Sequence, residues 1–431
     1  MRYVSTRGQS PAVSLSEAVE RGLAPDGGLY VPETFPTIAP ETLDGAESLA
    51  DVAGRVLAPF FAGDALAPAL RDICREAFAF PVPLRELRDG TAVLELFHGP
   101  TAAFKDVGAR FLAALMSRLG GRDARPLTIL VATSGDTGGA VAAAFHGRPG
   151  VEVAVLFPAG MVSPRQEKQL TAWGGNVRAF AVRGASDDCQ RLVKAAMADP
   201  ELRAARRLSS ANSINVGRLL PQMAYYAWAS REYVRRHGAE PGFVIPSGNL
   251  GNAAAALWAR RAGLPVREVV MATNANPAVT AFAAGAPWAA HPTVATLATA
   301  MDVGDPSNME RIFHLFGGHE PARRALRAER VDDGEIRRVI REGPAGWGTV
   351  WDPHTATAVA ARERLGGGDW IVVATAHPAK FEGVVEPLVG HEVAVPPELR
   401  RLLGRPSHAE PLEPTLDAFR AALGSQESAE S

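Results

Sequence analysis

The sequence predicts an α/β fold: parallel twisted sheets covered by helices on both faces, with an N-terminal unit of its own. Three observations predict it. From Val93 onward, short and nearly continuous apolar runs alternate with stretches of helical periodicity. This is the pattern of strands buried on both faces of a parallel sheet. The turns after several of these runs are rich in glycine and small polar residues, as expected at the carboxyl ends of strands, where such sheets bind ligands. Finally, 431 residues are too many for one core, so two or three domains are expected.

Taken in order, residues 1–88 read as a unit. Residues 3–6 form a short strand, and 14–20 a helix capped by Ser14 or Ser16. The turn cluster Ala24-Pro25-Asp26-Gly27-Gly28 precedes the apolar Leu29-Tyr30-Val31, and residues 49–57 and 66–78 carry helical spacing. No nucleophile–base pair is present, so packing and dimerisation are the expected roles. The β/α alternation follows, with strands at 93–97, 127–132, 151–157, 177–182 and 243–246. Helices are expected at 104–119, 137–145, 166–171, 187–198, 216–235 and 253–262. The turns after Phe97, Ala132, Phe157 and Pro246 therefore share one rim. Residues 276–364 are less regular, with helices at 309–316, 321–330 and 335–341; residues 370–375 return as a buried strand ending in the turn Ala376-His377-Pro378-Ala379-Lys380. The stretch 424–431 is small and polar, and a disordered tail is expected there.

Composition narrows the function. Hydrophobic residues make up 47% and charged residues 21%, with a net charge of -2. That balance gives no reason to expect nucleic acid or an acidic membrane face as a partner. Cys74 and Cys189 stand alone, without CxxC or Cys/His spacing, so no disulfide framework and no metal site are expected. The first residues lack the apolar core of a secretory signal. Residues 269–301 carry no Asp, Glu, Lys or Arg, but Asn274, Asn276, Pro277, Pro287, His291 and Pro292 interrupt them, so no membrane span is expected. The expected compartment is a reducing cytoplasm, and the expected state a monomer or homodimer.

Three loops carry chemistry. Leu96-Phe97-His98-Gly99-Pro100-Thr101-Ala102-Ala103-Phe104-Lys105-Asp106 turns from a strand into a helix. Lys105 is either a solvated surface lysine or an amine held near apolar walls, with a lowered ammonium pKa, able to form a Schiff base. Ser247-Gly248-Asn249-Leu250-Gly251-Asn252 follows a strand and opens an alanine-rich helix. It reads as a phosphate cradle of backbone N–H groups or as a plain turn. Thr133-Ser134-Gly135-Asp136-Thr137-Gly138-Gly139 reads as a carboxylate cradle or as simple N-capping by Ser134 or Asp136. Its Asp-Thr-Gly has no second copy, as an aspartic protease requires. GxxxxGK[ST], HExxH, GxSxG and GxGxxG are all absent. A special lysine, a phosphate cradle, a carboxylate cradle and a strand ending in Thr375 together fit pyridoxal phosphate: amine for aldehyde, amides for phosphate, hydroxyl for the ring nitrogen.

Eight stretches in order carry a resemblance: Ser5-Thr6-Arg7-Gly8; residues 22–30; Phe97-His98-Gly99-Pro100-Thr101 through Phe104-Lys105-Asp106; residues 132–138; Asn212-Ser213-Ile214-Asn215; Pro246-Ser247-Gly248-Asn249; residues 300–308; and Thr375-Ala376-His377-Pro378-Ala379-Lys380-Phe381. In these the chain resembles the threonine synthase family of fold-type-II, tryptophan synthase β-like pyridoxal-phosphate enzymes, in its longer bacterial and fungal branch. The resemblance implies a catalytic region at 89–423 of two α/β lobes, the smaller at about 127–182. It implies the conversion of O-phospho-L-homoserine and water to L-threonine and phosphate, by elimination at Cγ and addition at Cβ. Lys105 is then the Schiff-base and proton-transfer residue. Gly248, Asn249, Leu250, Gly251 and Asn252 fall where the family holds the cofactor phosphate, and Thr375 where a hydroxyl meets the pyridine nitrogen. Leu250 and Asn252 depart from one common family form, which has Phe and Asp there; both contacts can be made by backbone. For the substrate carboxylate the candidates are Thr101, Ser134, Gly135, Asp136 and Thr137. For its phosphate they are Arg165, Lys168, Asn215, Arg218 and Lys380, each with a surface or capping role as the alternative. His98 and His377 are expected to make structural hydrogen bonds, and His354 to start a helix. Other readings are a serine/threonine dehydratase, a phospholyase or a silent metabolite-binding protein.

Overall fold

The structure, a computed structural model, describes residues 1–119, 125–133 and 135–424. Two sheets organise it. The larger has six strands, in spatial order Arg327–Arg330, Glu268–Thr273, Gly242–Pro246, Trp370–Ala374, Thr91–Glu95 and Leu84–Glu86. All neighbours are parallel except the last pair, Leu84–Glu86 against Thr91–Glu95, which is antiparallel. The smaller has five parallel strands, in the order Glu410–Leu412, Val177–Val182, Val151–Pro158, Leu127–Ala132 and Arg207–Ser210. Every residue of Gly242–Pro246, Trp370–Ala374 and Leu127–Ala132 is buried. Two-sided burial explains why these strands read as unbroken apolar runs.

A separate ribbon pairs Tyr3–Ser5 with Tyr30–Pro32. Helix Leu15–Arg21 starts at Ser14, whose hydroxyl accepts from the Glu17 amide while Glu17 answers on the Ser14 amide. This capping box selects Ser14 over Ser16 and stabilises the helix end by about 1 kcal/mol. The N-terminal residues share one apolar core with the rest of the chain. Phe61 meets Phe111 edge-on at 6.2 Å, and Phe35 meets Trp258 at 5.4 Å. The strand Leu84–Glu86 lies before the expected boundary at residue 88, so the large sheet begins on the N-terminal side of that boundary.

Three local expectations change. The helix expected at 216–235 is two, Val216–Leu219 and Gln222–His237. Pro221 stands between them, without an N–H to continue the ladder. The helix expected at 321–330 ends early: His319–Ala325 is helical, and Arg327–Arg330 is an edge strand beside Glu268–Thr273. The third concerns the tail. Gly424 closes helix Leu416–Gly424, whose Phe419 packs edge-on against Phe180 at 5.6 Å; residues 425–431 lie outside the described residues. Cys74 and Cys189 are free and buried, and burial pushes both thiols up to about 12. Among the described residues no helix is long and apolar enough to cross a membrane.

Candidate active site

Three adjacent parallel strands of the large sheet deliver the site. Gly242–Pro246, Trp370–Ala374 and Thr91–Glu95 lie side by side, and the turns at their carboxyl ends carry the Ser247–Asn252 loop, Thr375 and the approach to Lys105. Two strand spacings amount to about 10 Å. Thr375 occupies the middle position. The Lys105 turn is pinned onto it: the Phe104 amide donates to the Thr375 carbonyl at 2.8 Å, and the His377 amide donates to the Ala102 carbonyl at 3.0 Å. Ala102 takes a left-handed φ of 54°, which a side chain tolerates only where the surroundings hold it.

Lys105 opens helix Lys105–Met116. It is half-buried, with its ammonium 4.4 Å from the Phe104 ring centroid. No hydrogen bond to it is made by any described residue. Burial, reinforced by the Arg218 guanidinium and opposed by Asp136, lowers its pKa to about 8. The solvated-surface alternative does not describe this environment. Arg218 is itself buried, and burial lowers its pKa to about 10 against the pull of Asp106. One nitrogen of its guanidinium donates to the Ala211 carbonyl, but Nε has no partner among the described residues. Gly108 permits the approach: a Cβ there would stand 2.8 Å from Arg218 Nε.

The Ser247–Asn252 loop is built for close approach. A Cβ on Gly248 would lie 2.7 Å from Met301 Cα. Leu250 takes a left-handed φ of 61° immediately before helix Gly251–Arg261. The first amides of that helix have no intrahelical acceptor, and its dipole favours an anion. The Tyr226 hydroxyl donates to Asn252 Oδ1, and the Tyr225 hydroxyl shares its one proton between Asn252 Oδ1 and Gln222 Oε1, which assigns Nδ2 to the other side. That Nδ2 is buried and has no partner among the described residues. Thr375 is buried too; its amide donates to Thr355 Oγ1 at 3.2 Å, while its hydroxyl bonds to none of the described residues. The buried Asn252 Nδ2, on the turn after the strand next to Trp370–Ala374, fits a cofactor phosphate, and the Thr375 hydroxyl, without a partner among the described residues, fits a ring nitrogen.

The other candidates divide. Ser134 lies outside the described residues. Gly135 has φ 139° and no room for a Cβ beside Gln166, and Thr137 stands half-buried in the first turn of Asp136–Phe145. Asp136 forms an ion pair with Lys380 at 2.7 Å and accepts from Gln166 Nε2 at 3.1 Å. Burial raises its carboxyl, but the Lys380 ammonium, His354 and the Gln166 hydrogen bond together outweigh that and hold it below the usual range. Lys380 is fully buried and also donates to the Thr101 carbonyl at 2.8 Å. Thr101 gives its amide and hydroxyl to Asp106, at 2.9 and 2.8 Å, and Gln169 Nε2 donates to its carbonyl at 2.9 Å. Arg165 donates to the Ala379 carbonyl and pairs with Glu382 at 3.5 Å. Lys168 donates to Ser407 at 2.9 Å. Asn215 is wholly buried, caps helix Val216–Leu219 and donates to the Val19 and Ser210 carbonyls. Of the five phosphate candidates, the buried guanidinium of Arg218 is brought beside Lys105 with a donor to spare. Asn215 is spent on backbone, while Arg165, Lys168 and Lys380 tie the small-sheet helix Pro164–Thr171 and the Asp136 loop to neighbouring segments.

The histidines are braced. His98 Nε2 bonds Glu95 at 2.8 Å, and His377 Nδ1 accepts from the Ala379 amide at 3.2 Å. Burial, with His98 nearby, lowers the His377 pKa to about 4. His354 lies in the first turn of helix Pro353–Arg364. Its Nε2 accepts from the Ala300 amide at 3.1 Å, so the proton is assigned to Nδ1, which donates to Asp352 at 2.9 Å. Sequence reasoning missed the tyrosine pair behind Asn252 and the Thr355 hydroxyl behind Thr375. Neither leaves a local signal, because each partner comes from a distant helix.

The chain as a whole has known relatives. The family described as pyridoxal-phosphate dependent enzyme matches residues 81–376 and sets the class. The descriptions threonine synthase N terminus and threonine synthase, C-terminal, match residues 2–78 and 355–423. The threonine synthase of Serratia marcescens is 40% identical over 403 residues, covering 93% of each chain. The crystal structure of threonine synthase from Escherichia coli is similar with a TM-score of 0.91 at 38% identity, covering 99% of this chain and 100% of that one. The pyridoxal-phosphate-bound threonine synthase from Brucella melitensis gives 0.91 at 35% identity, covering 100% of both. The chain belongs to the threonine synthase family of pyridoxal-phosphate dependent enzymes.

Proposed function

We propose that this chain converts O-phospho-L-homoserine and water to L-threonine and phosphate at the rim where Lys105, Thr375 and the Gly248–Asn252 turn meet. The observation that carries the residue assignment is the Lys105 turn bonded directly onto the Thr375 backbone, beside a cradle with a buried, unpaired Asn252 amide. Bound pyridoxal phosphate supplies an electron sink for negative charge at the substrate α-carbon. Lys105 carries the aldehyde between turnovers. Once released, its amine moves protons at Cα, Cβ and Cγ, because a base with a pKa near 8 is half deprotonated at about pH 8, far more than an ordinary lysine. The amides of residues 248–252 and Asn252 Nδ2 hold the cofactor phosphate, and the Thr375 hydroxyl faces the ring nitrogen. The loop at residues 133–137, Ser134 included, takes the substrate carboxylate with Thr101 behind it, and Arg218 takes the substrate phosphate. The N-terminal unit at 1–88 braces a catalytic region at 89–423, and the compartment is the cytoplasm.

Two measurements test this reading. Incubated with O-phosphohomoserine, the holoenzyme releases phosphate and threonine in equal amounts. Phosphate released with ammonia and 2-oxobutyrate overturns the reading in favour of a phospholyase. The second measurement is a pH profile. Lys105 is lowered from 10.5 to about 8, so the cofactor-free chain holds it as ammonium below pH 8 and as amine above. The rate of pyridoxal phosphate capture then rises about tenfold per pH unit below pH 8 and levels off above it. A rise that continues to pH 10.5 contradicts the assignment. Linkage has the same sign. Between the two pKa values the unfolded chain holds the extra proton, so this group adds stability as pH rises through that window.

A further inference from the structure

Asn249 contributes little by its own side chain to the cradle: Oδ1 accepts at 3.4 Å from the Ser307 hydroxyl and at 3.5 Å from its amide. Its carbonyl is held more firmly. Asn308 Nδ2 donates to it at 2.9 Å, and the Asn308 amide at 3.3 Å. Both bonds reach the peptide between Asn249 and Leu250, which is trans, as are all peptides described here. In a trans peptide the C=O and N–H point in opposite directions. Two donors on the Asn249 oxygen therefore aim the Leu250 N–H away from Asn308, on the side opposite the clamp. Leu250 is also the residue with the left-handed φ of 61°, a conformation that persists only where neighbours over-determine it.

Asn308 is itself immobilised. It is wholly buried, and Nδ2 also donates to Ser213 Oγ at 3.1 Å. Its Oδ1 accepts from Arg311 Nη1 at 2.6 Å. Arg311 is a wholly buried guanidinium whose other bonds go to the carbonyls of Ser213, Ile214 and Tyr30. Tyr30 belongs to the N-terminal ribbon, and the neighbouring Glu310 accepts from Thr6 and Arg7 of the same unit at 2.6 and 3.1 Å. Burial lowers the Arg311 pKa to about 9, against the pull of Glu310. An arginine spent on carbonyls and one amide oxygen acts as a bracket between the N-terminal unit and the cradle.

We propose that Asn308, seated by Arg311 on the N-terminal unit, is a positioning residue for the cofactor-phosphate cradle: it fixes the Asn249–Leu250 peptide so that the Leu250 N–H faces the phosphate. The inference rests on the reading of residues 248–252 as that cradle. It differs from a general packing role in one consequence. Loss of Asn308 weakens a ligand that has the phosphate and spares one that lacks it.

The test uses the full chain stripped of cofactor, titrated with pyridoxal 5'-phosphate and with pyridoxal, and followed by the visible Schiff-base band. Asn308→Asp keeps the side-chain acceptor for Arg311 and removes both Nδ2 donations; Asn308→Ala removes them without adding a charge. In both variants the affinity for pyridoxal 5'-phosphate falls about tenfold, as expected for a lost buried hydrogen bond, while the affinity for pyridoxal stays within about twofold. Both variants lose buried hydrogen bonds and unfold at lower denaturant than the unsubstituted chain, so the two ligands are compared on protein that is folded at the titration temperature. Three results overturn the proposal: Asn308→Ala binding pyridoxal 5'-phosphate like the unsubstituted chain, Asn308→Asp doing so where Asn308→Ala fails to fold, or equal losses for the two ligands. An unsubstituted chain that prefers pyridoxal 5'-phosphate no more than pyridoxal overturns the cradle reading and this inference with it, which separates the two failures.

Discussion

Lys105→Ala lowers threonine formation by about 10³-fold or more and leaves the fold intact. The two halves of this result have one cause. The Lys105 amine has no hydrogen-bond partner among the described residues, and burial together with Arg218 works against its charge. Its presence therefore costs the cofactor-free chain stability at neutral pH, where the unfolded chain carries the ammonium freely. Removing it relieves that cost, so the unfolding midpoint of the cofactor-free variant equals or exceeds that of the unsubstituted chain. Activity falls because the variant has neither the amine that carries the aldehyde nor the base that moves protons at the substrate carbons. Steady-state phosphate release and a denaturant titration on the same preparation measure both. Turnover within tenfold of the unsubstituted enzyme refutes the role of Lys105; a large drop in the unfolding midpoint refutes its description as a costly buried amine.

Lys380→Met has its largest effect on stability. Lys380 is fully buried, and its ammonium meets both Asp136 at 2.7 Å and the Thr101 carbonyl at 2.8 Å. Methionine fills the space but leaves the Asp136 carboxylate with the Gln166 Nε2 donor and no ion-pair partner among the described residues. Breaking a buried pair from one side costs about 3–5 kcal/mol, because the charge left behind stays desolvated. The denaturant midpoint falls accordingly. Lys380→Met combined with Asp136→Leu recovers most of the loss, since the unpaired charge is gone. Because Lys380 holds the Asp136 carboxyl below 3.8, the pair's contribution is present above that pH and is lost only as pH falls through the lowered value. A single-variant loss under about 1 kcal/mol shows that the pair is not what joins the Asp136 loop to the large-sheet rim.

Much of the candidate site is legible as three turns at strand ends, because those signals are local. The Ser247–Asn252 loop and the Asp136 loop each follow a fully buried strand, and the Lys105 turn follows one buried up to Glu95; such strands announce themselves as apolar runs. Arg327–Arg330 was read as helix because an exposed edge strand with the sequence Arg-Ala-Glu-Arg carries no apolar pattern; its pairing with Glu268–Thr273 decides it. The break at Pro221 was legible in principle, and the apolar periodicity on either side hid it. The phosphate candidates show the limit most clearly. Residue type marks Arg165, Lys168, Asn215, Arg218 and Lys380 alike as anion ligands. Only the tertiary fold spends Asn215 on Val19 and Lys380 on Asp136 while leaving Arg218 Nε unpaired. Polar contacts between segments far apart in the chain, such as Asn308 to Ser213 or Lys380 to Asp136, leave no periodicity to read.

Reduction with borohydride, followed by peptide mapping, tests the central assignment most directly. The holoenzyme, treated and digested, carries its pyridoxyl group on the peptide containing Lys105, at one equivalent per chain, and loses its visible band in proportion. A pyridoxyl group on any other lysine, or a visible band that survives reduction, contradicts the assignment.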